Sequence, residues 1–167
     1  MFKINPDAKH SFGHIGHEKT PIFVIDDLIE NITDLSLTAS KSIMSESHLS
    51  TGYPGKRSDI NAAYKKTIMD YIYPIMLDVY KIPTSLSVNS DNACFSSLSK
   101  PENKLSPFQC IPHLDSTNRF YFAVMHYINE GDFGGTGFYR HSPTGYENIT
   151  EKNVSNYDVK FYSLLDY

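Results

Sequence analysis

An α+β fold, with helices first and strands after, follows from three features of the sequence. Apolar residues recur at helical spacings of three and four in two stretches before residue 83. From about residue 84 to 140, short β-favouring runs are broken by Ser, Asn, Pro and Gly clusters. The two patterns do not alternate along the chain, which argues against a parallel βαβ sheet. The 167 residues suit a single domain over 1–167, with a helical part at 1–83 and a β-rich part at 84–167. Twelve Tyr and ten Phe supply enough ring area to offset the entropy of ordering such a chain.

The elements can be justified in order. Residues 1–20 are polar and hold His10, His14 and His17. On a helix these spacings would align three imidazoles as a metal site, but Gly13 and Gly16 each cost a helix about 1 kcal/mol. A loop or edge strand is therefore expected there. Residues 21–26 form a short apolar run that predicts a buried strand. Asp26 or Asp27 is then placed to cap a helix running to about residue 46, with Leu28, Ile32, Leu35 and Ala39 at helical spacing.

Residues 51–57 read as a turn-rich loop, and 59–81 as a second helix. Ile68, Met69, Ile72, Ile75, Met76 and Val79 make its apolar stripe, and Pro74 should kink or split it. Strands are expected near 85–89, 93–99, 106–112, 119–128 and 136–140. The 119–128 run is apolar on both faces, as a central strand would be.

Charge and composition exclude several functions. The net charge is −4, and the basic pairs Lys56-Arg57 and Lys65-Lys66 are isolated, so a nucleic-acid backbone binder is not expected. Cys94 and Cys110 are too few for a disulfide framework and are expected as buried free thiols. The first residues lack the apolar core of a signal peptide, and no apolar run nears the ~18 residues needed to cross a bilayer. The expected location is cytoplasmic, with no membrane partner.

The sharpest chemical feature is Pro112-His113-Leu114-Asp115. On a strand, residues i and i+2 share a face, so His113 and Asp115 would aim a ring nitrogen and a carboxylate oxygen at one point. That pair is two-thirds of the facial triad of two His and one carboxylate that holds Fe(II). A surface strand end is the plainer reading of the same four residues. Downstream, Tyr127-Ile128-Asn129 ends a run, a Gly-rich turn follows, and Gly134-Gly135-Thr136-Gly137-Phe138 begins another. The glycines match neither a dinucleotide-binding loop nor a P-loop.

The ordered set Gln109-x-x-Pro112-His113-x-Asp115, Tyr127-Ile128-Asn129 and Gly134-Gly135-Thr136-x-Phe138 resembles the Fe(II)/2-oxoglutarate-dependent dioxygenase superfamily, in its prolyl-hydroxylase-like branch. Tyr53-Pro54-Gly55-x-Arg57, Leu105-Ser106-Pro107-Phe108-Gln109 and Phe138-Tyr139-Arg140-His141-x-x-Thr144-Gly145-Tyr146-Glu147 resemble an uncharacterised bacterial subfamily of it. The resemblance spans roughly residues 18–150. It implies a double-stranded β-helix (jelly roll) with helices packed outside. It implies Fe(II) as cofactor, 2-oxoglutarate as co-substrate, and hydroxylation of a C–H bond in a small-molecule or peptide substrate. By motif position His113 and Asp115 are metal ligands, while Gln109, Tyr121, Arg140 and His141 are the residues to consider for co-substrate or substrate contact.

The chain also departs from that pattern. The superfamily takes its third ligand from a distal His and anchors 2-oxoglutarate with a nearby Arg or Lys. Here 29 residues follow Phe138, and none after His141 is His. His141 lies early for the distal position, and His126 shares a face with Phe120, Phe122, Val124 and Ile128, as a core histidine would. The expectation is a jelly roll lacking its last strands. Two alternatives stay open: a non-catalytic β-rich binding or structural remnant of that family, and a different metal site, such as one for Zn(II), built on His113 and Asp115.

Overall fold

A computed structural model describes residues 2–42, 52–90, 92–129, 131 and 133–162. The chain divides into two compact units, Met1–Ser11 with Phe23–Ile111, and Phe12–Ile22 with Pro112–Tyr167. This division does not follow the boundary between a helical and a β-rich part. Four strands and three α-helices are described, in the order β1 (Lys9–Ile15), β2 (Thr20–Asp26), α1 (Ile32–Lys41), β3 (Gly55–Asp59), α2 (Ala62–Val79), β4 (Cys94–Leu98) and α3 (Val154–Tyr162). They form two two-stranded sheets, β1-β2 and β3-β4. The jelly roll is carried by the resemblance alone.

The buried apolar side chains among the described residues all belong to the first unit: Leu28, Ile29, Leu35, Ala39, Tyr64, Ile68, Ile72, Met76, Ile82 and Phe95. Helix α2 supplies four of them at a spacing of four, so a single stripe faces inward. Burying each such side chain stabilises the fold by about 1.5–3 kcal/mol. Asn61 starts this helix, its side-chain oxygen accepting the amides of Ala63 at 3.0 Å and Tyr64 at 3.1 Å. The Tyr64 ring stacks on Phe95 of β4 at 6.1 Å and meets Phe2 edge-on at 5.4 Å. Burial there pushes the Tyr64 hydroxyl up to about 12. Pro74 does not split α2. It is exposed, so its ring points to water, and the Asp70 carbonyl forgoes its helical N–H partner.

Several boundaries differ from expectation. Helix α1 begins at Ile32 with Asn31 as its cap, whose side chain accepts the Asp34 amide at 3.2 Å, and not at Asp26 or Asp27. Asp27 takes a φ of 55°, outside the helical region. Leu28 to Glu30 are held instead by the N-terminal segment: Leu28 accepts the Asn5 amide at 2.9 Å, Glu30 donates to Lys3 at 3.2 Å, and Ile4 bridges Ile29. The expected end of α1, residues 43–46, lies outside the described residues.

The expected loop at 51–57 is half strand. Gly55 to Asp59 pair antiparallel with Leu98 to Cys94. Gly55 is needed because a Cβ there would run into the Ser97 carbonyl oxygen. Of the five expected strands, only the one near 93–99 is found, as β4. Residues 85–89 lie outside helix and strand. In 106–112, Pro107 opens a 3-10 turn over Pro107–Cys110, closed by a reciprocal cap between Ser106 and Gln109. That local cap competes with any ladder. The 119–128 run opens on a turn in which Asn118 accepts the amides of Phe120 and Tyr121. Residues 121–129 and 133–140 lie outside helix and strand, without a paired neighbour strand among the described residues. A run of high β propensity takes strand form only when a neighbouring strand supplies a ladder.

The second unit carries α3, and several of its large apolar side chains, among them Tyr121, Met125, Phe133, Phe138 and Tyr139, are exposed. The polar start of the chain forms β1, as an edge strand, so the His10, His14 and His17 imidazoles are not aligned as on a helix. His10 bonds the Tyr71 hydroxyl at 2.7 Å, and His14 packs edge-on against Phe12. Both cysteines are free, but Cys110 is exposed, contrary to the expected buried thiol, because the 3-10 turn presents it outward.

Candidate functional site

His113 and Asp115 lie in irregular backbone, not on a strand. The local fold nonetheless brings their donors together: His113 Nε2 is 3.6 Å from Asp115 Oδ1. Two donors bound to one cation at ~2.1 Å each stand about 3.0–3.4 Å apart. The observed pair needs only a small side-chain rotation to share an ion. The side chains are 82% and 52% exposed, so a cation reaches them from solvent.

The donor set is nevertheless short of the group that the resemblance implies. No cluster of three or more His, Cys, Asp or Glu is found among the described residues. Two protein donors fit one edge of an Fe(II) coordination sphere and do not complete a facial triad.

The remaining residues singled out by sequence are each held by local contacts. Gln109, in the first unit, accepts the Ser106 amide through Oε1 at 2.9 Å and donates from Nε2 to the Gly52 carbonyl at 2.9 Å. Tyr121 is half-exposed and donates its amide to Asn118 at 3.1 Å. Arg140 donates to Glu147 Oε1 from Nε at 2.8 Å and from Nη2 at 2.6 Å. His141 Nδ1 meets Thr144 Oγ1 at 2.8 Å, and its ring packs edge-on against Tyr157 at 4.8 Å. No hydrogen bond or ion pair described joins Tyr121, Arg140 or His141 to His113 or Asp115. His126 is half-buried, and burial lowers its pKa, favouring the neutral ring.

Arg140 belongs instead to a polar clasp that sequence reasoning missed. Residues 16–19 turn β1 into β2, with Gly16 at a φ of 69°. Glu147 Oε2 accepts the Glu18 amide at 2.9 Å, while Glu18 accepts the amides of Glu147 at 3.0 Å and Asn148 at 3.1 Å. Asn148 also donates to Glu18 Oε2 at 2.9 Å. Glu147 is held at about 2, well below the usual carboxylate range, first by the backbone N–H of Glu18, then by that of His17, then by Arg140. Glu18 is lowered as well, chiefly by the Glu147 backbone N–H and the Asn148 side chain. The one signal in the sequence was the Arg140…Glu147 segment; nothing there pointed 129 residues back to Glu18.

A cleft of about 350 Å³ in the first unit is lined by Phe2, Lys3, Ile29, Glu30, Asp34 and Lys41, among others. None of the residues singled out by sequence lies on its walls. No described helix is long and apolar enough to cross a membrane.

Comparison with known families matches residues 6–163 to one model, described as a family of unknown function, DUF6445. No curated protein and no solved structure matches the chain.

Proposed function

The chain belongs to the DUF6445 family, and from the motif order and the His113–Asp115 geometry we propose that it descends from the Fe(II)/2-oxoglutarate oxygenases. In this reading His113 and Asp115 are two of three iron ligands, and the ancestral chemistry is hydroxylation of a C–H bond in a small-molecule or peptide substrate. The supporting observation is the 3.6 Å approach of the two donors, both open to solvent. The described residues offer no third protein ligand, so this chain is expected to hold Fe(II) weakly: affinity grows with ligand count and supporting hydrogen bonds. No catalytic step follows from two donors.

A second reading, the non-catalytic remnant, is favoured by Arg140. Its guanidinium is engaged by Glu147, so a 2-oxoglutarate carboxylate would have to displace that partner.

The test adds Fe(II) and 2-oxoglutarate under anaerobic conditions and follows the visible metal-to-ligand charge-transfer band. A band that His113→Ala removes supports the oxygenase reading. No band, or one that survives the substitution, supports the remnant.

A further inference from the structure

We infer that His113 and Asp115 are one half of an intermolecular zinc site, in which two copies of this chain hold a single Zn(II) between them. Nε2 of His113 and Oδ1 of Asp115 stand 3.6 Å apart. Two donors of a tetrahedral zinc ion, each at ~2.0–2.1 Å, stand ~3.3–3.4 Å apart, so a small side-chain rotation seats both on one ion. The pair supplies one nitrogen and one oxygen of the four donors that zinc takes. No cluster of three or more His, Cys, Asp or Glu completes it among the described residues. Both side chains are open to solvent, so the far side of a bound ion is open as well.

Symmetry and charge identify what fills that side. A two-fold axis through the metal supplies the two missing donors from the same residues of a second copy, because an isologous contact repeats every group. Neutral imidazole and carboxylate are both donors that zinc accepts. Between Lys104 and Arg119, Asp115 is the only Lys, Arg, Asp or Glu in the sequence. Two such segments meet with two negative charges, which Zn(II) cancels when both imidazoles are neutral. Without the ion the two carboxylates repel at close range, so association follows the metal. The inference rests on the donor geometry and not on descent from the oxygenases, which the charge-transfer band tests separately.

Zn(II) alone is the probe, added to the metal-free full chain and followed by sedimentation velocity and light scattering. The mass should double from 19.0 kDa as zinc reaches one ion per two chains, and a chelator should reverse the change. In large excess of zinc each half-site fills with its own ion, and the mass should fall back. That maximum marks a bridging ion. His113→Ala and Asp115→Asn should each raise the zinc needed for the dimer at least about tenfold. Losing a ligand costs more than losing a hydrogen-bond partner of one, itself worth about 10–100-fold in affinity. Both side chains are exposed, so both variants should keep the denaturant midpoint of the unaltered chain. His14→Ala, which removes an exposed imidazole elsewhere, should leave the zinc response unchanged. A chain that stays monomeric at every zinc ratio overturns the inference, whether it binds one ion by itself or none. So does a dimer that both substitutions spare, or one that His14→Ala removes.

Discussion

Glu18 and Glu147 cap each other. The Glu18 amide donates to Glu147 Oε2 at 2.9 Å, and the Glu147 amide donates to Glu18 Oε1 at 3.0 Å. Two carboxylates are thereby held close, because backbone N–H groups and Arg140 supply the opposing partial and full charge.

The clasp makes the second unit pH-sensitive. Glu147 has a folded pKa of about 2 against an ordinary 4.5. A depressed carboxylate contributes stability that is complete above its unfolded pKa and is lost as pH falls through the folded value. The 16–19 turn should therefore lose amide protection as pH drops from about 4.5 towards 2. Glu147→Gln should show the unprotected pattern at neutral pH, with its pH dependence flattened. Hydrogen exchange at the Glu18 and Glu147 amides reads this directly.

Gly16 is placed where only glycine fits. Its φ is 69°, and a Cβ would collide with the Glu147 carboxylate. Gly16→Ala should cost about 1–3 kcal/mol in urea unfolding. Gly134, with a φ of 76° but open space around it, should lose only about 1 kcal/mol on the same change.

The first unit should respond as a packed core does. Ile72→Ala removes a side chain from the buried stripe of α2 and should destabilise by about 2–5 kcal/mol. Pro74→Ala, on the exposed side of the same helix, should stabilise by about 1–3 kcal/mol by restoring an N–H for the Asp70 carbonyl. Denaturant midpoints distinguish the two signs.

Local rules made α2 legible, because a stripe at a spacing of four and an Asn cap are written within twenty residues. Strand β2 was legible from its short apolar run, but its side chains are half-buried or exposed and not buried as expected. Helix α1 was displaced because Leu28 and Ile29 are held by residues 3–5, a pairing that no local pattern announces. Strand β3 was hidden because Gly55 reads as a turn residue until Ser97 is seen opposite it. The 119–128 run shows the converse: β propensity without neighbouring strands gives no strand. At the site, His113 and Asp115 approach each other from irregular backbone, not from the strand whose i, i+2 spacing was expected to bring them together. The clasp around Arg140 was not anticipated, since its partner Glu18 lies at the far end of the chain.

The central claim is that His113 and Asp115 act together as a two-donor cation site. Its most direct test is an anaerobic Fe(II) titration followed by site-resolved NMR line broadening. The account predicts that signals of residues 112–116 broaden first, and that Asp115→Asn and His113→Ala each abolish the effect while the spectrum elsewhere is unchanged. Broadening that persists in both variants, or that begins at other residues, would contradict it.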